Sequence, residues 1–114
     1  MNIFIISSVR NADLATKNKL DVYCICLEAM GHFVHLPHRD TDQAAKGIDI
    51  CRQNMEAIKN ADEVHIFYNG ESQGIHFDLG MAFALGKQIS VIENEPYGEG
   101  KCFPRMLDEW SRNV

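Results

Sequence analysis

Asp78 stands inside an apolar run, Gly74-Ile75-His76-Phe77-Asp78-Leu79-Gly80-Met81-Ala82. A carboxyl group among such neighbours either supports a helix start electrostatically, worth about 0.3–1 kcal/mol, or faces a cleft and takes part in chemistry. Ionised, it is a nucleophile or a base. The helix end favours the charged form and the apolar neighbours oppose it. In a partly wet cleft the helix end is expected to prevail. Far upstream, Ser7-Ser8-Val9-Arg10-Asn11-Ala12-Asp13 sets two hydroxyls and an arginine just before a helix. Free N–H groups at a helix start suit an anion, and an arginine can grip a phosphate with two hydrogen bonds. The plainer reading is an N-capping loop with a surface arginine. His76, between Ser72 and Asp78, either orients a ligand and donates a proton or is a solvated first-turn histidine.

These residues need a frame. Asn2 to Ser7 is a short β-branched run, as in a strand buried on both faces. Asp13 can cap a helix in which Leu20, Tyr23, Cys24, Leu27 and Met30 share a face, and Gly31 stops it. A strand over His32–Leu36 ends at Pro37, which has no ladder donor. Residues 38–47 are polar and are expected to form a loop. Ile48, Cys51, Met55 and Ile58 follow at helical spacing. Glu63–Tyr68 is a third strand. Asn69-Gly70 alone signals a hairpin, but Ile75 to Leu85 is too long and too rich in alanine and methionine for a partner strand. It is a helix, apolar nearly all round. Gln88–Ile92 is a fourth strand, and Phe103, Met106, Leu107 and Trp110 mark a last amphipathic helix.

The order β-α-β-α-β-α-β-α predicts an α/β fold: a small doubly wound parallel sheet of flavodoxin-like or Rossmann-like type, in one domain over residues 1–114. Ligands of such sheets bind beyond the carboxyl ends of the strands, where the winding reverses. In a strand order 2-1-3-4 that point lies between the first and third strands. It brings together residues 7–13 and 68–74.

Composition narrows the partners. The chain has 114 residues, 46% hydrophobic and 24% charged, with a formal net charge of −5. The acidic balance argues against a polymeric nucleic acid, which needs a basic footprint. No run is long enough for a membrane span, and the short apolar start lacks the features of a secretory signal. Cys24, Cys26, Cys51 and Cys102 match no zinc spacing; reduced thiols of a cytoplasmic protein are expected. His32 and His35 fall on opposite faces of a strand, so a shared metal site with His38 is not expected. His65 is expected to be packed within its strand.

The stretch from Ile58 to Lys87 resembles the nucleoside 2-deoxyribosyltransferase family. It has a helix ending Asn60-Ala61-Asp62, a strand, a polar loop, then Gly-x-x-x-acid-x-Gly-x-Ala and a closing Gly86-Lys87. The first loop is similar to the Gly-Ser-Ile-Arg-Gly-Gly loop of the 2′-deoxynucleoside 5′-monophosphate N-glycosidase branch. Ser8, Val9 and Arg10 match it, whereas Ser7, Asn11 and Ala12 replace glycines. The resemblance implies that Asp78 is the nucleophile at the anomeric carbon, where the family normally has Glu. It implies that Ser8, Val9, Arg10, Ser72 and Gly74 bind substrate, beside His76 singled out by its position, and that Asn54 stands where a second acid is usual. A neutral amide cannot transfer a proton as a carboxyl can. The implied activity is cleavage or transfer at the N-glycosidic bond of a deoxynucleoside, more specifically its 5′-monophosphate, with no metal or organic cofactor. The implied partner is a small nucleoside or nucleotide, and the implied assembly a homodimer. The two altered acids leave open a nucleotide-binding module without turnover.

Overall fold

The computed structural model describes residues 1–10 and 12–112. Its elements are β1 (Asn2–Ile6), α1 (Leu14–Ala29), β2 (Phe33–His35), α2 (Pro37–Asp40), α3 (Gly47–Asn60), β3 (Glu63–Phe67), α4 (Gln73–Ala84), β4 (Gln88–Glu93) and α5 (Phe103–Ser111). The strands form one sheet in the order β2-β1-β3-β4. All pairs are parallel, with Ile3 opposite Glu63 and Ile6 opposite Ile66 at its centre. The expected α/β doubly wound architecture is therefore the observed one.

The alternation of strand side chains divides the core in two. Phe4, Ile6, Val64, Ile66 and Ile89 meet Ile58 of α3, Ile75, Leu79 and Ala82 of α4, and Leu107 of α5. On the opposite face Ile3, Ile5 and Phe67 meet Leu20 and Cys24 of α1, with Leu36. Helix α5 thus lies on the same face as α3 and α4. Over β3 and β4 the α1 side is polar: the Ser90 hydroxyl donates to Glu63 at 2.6 Å, and His65 lies 3.0 Å from the same oxygen. The Tyr23 hydroxyl lies 2.6 Å from the other nitrogen of His65. Burial lowers the pKa of His65, so its neutral form is favoured.

The chief departure from expectation is α2, which falls in a segment expected to be loop. Pro37 ends β2 and at once starts a helical turn, because its fixed φ suits the first helical position and its missing N–H costs nothing there. The carboxylate of Asp40 reaches back to accept from the Leu36 N–H at 2.8 Å. Arg39 then ties the turn to α1 through Glu28 at 3.0 Å. Asp13 caps α1 as expected, accepting from the Thr16 N–H at 2.8 Å.

The four cysteines are free, and only Cys24 is buried. Burial pushes its thiol up to about 11. Among the described residues no cluster of three or more His, Cys, Asp or Glu side chains could hold a metal ion. The three spaced histidines bond separately: His32 to the N-terminal amine, His35 to Thr41 and His38 to Asp21. Among the described residues no helix is long and apolar enough to cross a membrane.

Candidate active site

β1 and β3 lie side by side, so the loops that leave their carboxyl ends open together. The residue that joins them is Asn69, which the sequence marked only as half of a misleading turn signal. Its amide NH2 donates to the Ser8 hydroxyl. Its oxygen accepts from the N–H groups of Glu71 at 3.0 Å and Ser72 at 3.3 Å. Gly70 follows with φ +77°, a left-handed turn that a side chain would strain. The result is a hydrogen-bonded pair of loops at the ends of adjacent strands.

Ser72 is the N-cap of α4, its hydroxyl accepting from the Ile75 N–H at 3.2 Å. A serine hydroxyl retains its own hydrogen while accepting, so Ser72 can still donate to a ligand. The protein satisfies the N–H groups of Glu71, Ser72 and Ile75, while among the described residues those of Gln73 and Gly74 have no protein acceptor. On the facing loop Val9 closes a turn, its carbonyl accepting from Ala12 at 3.3 Å. Arg10 is exposed and, among the described residues, has no carboxylate partner. Asn11 lies outside the described residues. Ser7 is 5% exposed, and its hydroxyl finds no partner among the described residues. A buried unsatisfied hydroxyl at a switch point calls for a ligand or water atom.

Asp78 sits in the second turn of α4 and is only 8% exposed. Burial pushes its carboxyl up to about 7, and a side-chain hydrogen bond with Asn54 opposes this. Burial, and not the helix end as expected, is thus the larger influence on Asp78. The helix field fades within the first turn, and Asp78 lies one turn further in. Asn54, on α3, is itself buried and accepts from the Thr41 hydroxyl at 2.7 Å.

His76 is used differently from expectation. One ring nitrogen donates to the Ser72 carbonyl at 2.8 Å and the other accepts from the Tyr68 hydroxyl at 2.9 Å. Its ring also packs on Phe103, centroid to centroid 4.7 Å. Both nitrogens are taken by the protein, so His76 fastens the start of α4 to β3 and α5 and has no free nitrogen for a ligand. The i, i+2 spacing also turns it away from Asp78.

No family model matches the chain, and no curated protein sequence matches it. Solved structures do. The chain is similar to the CMP N-glycosidase of Clostridium botulinum, with a TM-score of 0.64 and 20% identity over 96% of this chain and 80% of that one. It is similar to a 2-deoxyribosyltransferase of Bacillus psychrosaccharolyticus, with a TM-score of 0.66 and 20% identity over 84% of this chain and 76% of that one. The chain therefore has the α/β fold of these two enzymes.

Proposed function

We propose that this protein cleaves or transfers the N-glycosidic bond of a nucleoside 5′-monophosphate, with a deoxynucleotide as the leading substrate. The observation that carries the reading is Asp78: a buried carboxyl with a pKa near neutrality, on the helix that begins at the switch point of the sheet. The two fold neighbours support it, one named for a nucleoside monophosphate and the other for a deoxyribosyl group.

In this scheme Ser8, Arg10, Ser72 and the N–H of Gly74 receive the phosphate, as the free donors at the two loop mouths. The ionised Asp78 attacks C1′. The C1′–N bond breaks, its electron pair leaves with the base, and a glycosyl ester forms on the carboxylate. Water then attacks C1′ and releases the sugar phosphate, or a second base takes its place. Asn54, a neutral amide at the position of the usual second acid, supplies no proton, so the departing base is protonated from solvent. Bases that leave easily are the preferred substrates.

The same asparagine favours a second reading, a nucleotide-binding module with slow or no turnover, because general acid help is worth about 10²–10⁴ in rate. Release of free base from a panel of ribo- and deoxynucleoside monophosphates separates the two. Turnover abolished by Asp78→Ala supports catalysis. Binding without turnover supports the module, and turnover that survives Asp78→Ala refutes the nucleophile.

A further inference from the structure

The face of the sheet away from α4 carries its own line of hydrogen-bonded side chains. The Tyr23 hydroxyl of α1 lies 2.6 Å from His65 Nδ1. His65 Nε2 lies 3.0 Å from Glu63 Oε1, and the Ser90 hydroxyl of β4 donates to the same oxygen at 2.6 Å. A carboxylate can only accept. The imidazole hydrogen is therefore on Nε2, Nδ1 is left bare, and the Tyr23 hydroxyl donates to it. The Tyr23 ring is held edge-on against Phe67, 5.1 Å between centroids. His65 is 8% exposed and Tyr23 half-buried.

A hydroxyl within reach of a base, with a third group orienting that base, is the arrangement of an assisted nucleophile. There is room for a reactant beside it. Among the described residues, the helical side chains that pack on this face all come from α1. One helix is about 10 Å across, the width of two strands, so α1 over β1 and β2 leaves β4 uncovered. A trough remains, floored by His65, Phe67 and Ser90. Lys19 crosses its upper end to Glu93 at 2.8 Å. That cation is thereby paired, while Glu63 and Glu93 make the trough acidic, which repels an anionic phosphoryl donor. A neutral acyl donor meets no such barrier.

We propose that Tyr23 is a nucleophile toward neutral activated esters, with His65 as its general base and Glu63 as the positioning residue for His65. Tyr23 Oη attacks the carbonyl carbon, and its proton passes to His65 Nδ1. The bond from that carbon to the leaving oxygen breaks, the electron pair leaves with the oxygen, and His65 returns the proton to it. Tyr23 is then an aryl ester. Water, giving its proton to His65, attacks the acyl carbon, and the Tyr23 oxygen leaves and recovers that proton. A phenol leaves readily, so the acyl group does not stay. The site is independent of the proposed function and lies across the sheet from Asp78.

The probe is p-nitrophenyl acetate with the full chain, quenched in acid and mapped by peptide mass spectrometry. An acetyl group is expected on Tyr23. Nitrophenol release should fall about 10²–10⁴-fold in His65→Gln and to the same floor in Tyr23→Phe. Equal release by wild type and folded Tyr23→Phe overturns the proposal. The pH profile of the wild type gives a reading that no unfolded variant can spoil. Burial lowers the pKa of His65, the Glu63 carboxylate raises it and His32 lowers it. Release should therefore be level from about pH 7 to 9, where the imidazole is already neutral. A tyrosine without a base gains about tenfold per pH unit toward its pKa of about 10, and such a climb overturns the proposal. Glu63→Gln should slow release and move the acid limb of the profile to lower pH, which a merely structural role would not do.

Discussion

The side chain of Asn69 bonds the hydroxyl of Ser8, 61 residues earlier in the chain, and so joins the loops that follow β1 and β3. The same side chain accepts two backbone N–H groups at the start of α4. Asn69→Ala removes all three bonds and should cost about 1–3 kcal/mol of stability, mainly through the N–H groups left without a partner. Asn69→Asp keeps the acceptor and loses only the donor to Ser8, so urea denaturation should place it between alanine and wild type. An Asn69→Ala midpoint equal to wild type would deny the tie any energetic weight.

Arg10 is exposed at this mouth without a carboxylate partner among the described residues, so its removal should touch binding and spare folding. Arg10→Ala is expected to weaken a nucleoside monophosphate about 10–100-fold. The parent nucleoside should bind both proteins alike, and Tm should not move. Titration calorimetry decides it: if wild type binds nucleoside and monophosphate equally, the phosphate site is misplaced.

Ser7 offers a comparison within the same loop. Its buried hydroxyl has no partner among the described residues, so Ser7→Ala should leave stability unchanged or raise it by about 1 kcal/mol. Should a ligand atom satisfy that hydroxyl, the same variant lowers affinity. Thermal melts with and without nucleotide report both effects.

Asp78 links stability to pH. Its carboxyl is raised from 3.8 to about 7 in the folded chain. The folded form therefore holds the proton more tightly than the unfolded form, and this contribution is fully present only below pH 3.8. It is lost as pH rises to about 7 and stays lost above. Asp78→Asn lacks the burial of a charge, so its stability relative to wild type should grow by about 2–4 kcal/mol between pH 4 and pH 8. Parallel pH dependences of the two proteins would show that Asp78 is not perturbed. If Asp78 is the nucleophile, kcat/KM rises with pH through about 7 as the carboxylate forms.

Helix α4 leaves Phe77 and Phe83 exposed, and α3 leaves Ile48 and Met55 exposed beside it. A second copy of the chain is expected to cover the exposed apolar side of α4 around Phe77 as a homodimer. Light scattering at micromolar concentration should give twice the chain mass, and Phe77→Glu should halve it. A wild type that is strictly monomeric there removes the expectation.

The strand order and the two loops were legible because parallel strands and amphipathic helices write their periods plainly into the chain. Ser8, Arg10 and Asp78 could be singled out on chemistry and position, and Ser72 and Asn54 through the family resemblance. What the sequence concealed was hydrogen bonding over long separations. Asn69 looked like a turn residue, since nothing local reveals that its amide reaches Ser8. Pro37 announced the end of a strand and hid the start of α2, because the same fixed φ serves both. His76 looked like a ligand group until Tyr68 and the Ser72 carbonyl took its two nitrogens. Thr41 carried no signal at all; only the fold sets it between His35 and Asn54.

The pairing of β1 with β3, Ile3 opposite Glu63, has a consequence for how the chain folds during synthesis. The amino-terminal loop emerges from the ribosome early, yet its neighbour across the mouth is about sixty residues behind. At roughly 5–20 residues per second, several seconds pass before that partner exists. Closing so long a segment costs chain entropy before the central strand pair repays it. The first half of the polypeptide, with β1, α1 and β2, can therefore assemble only one side of the mouth. Ligand binding is acquired late and all at once, when β3 docks, and a nascent chain stalled before Glu63 should have none.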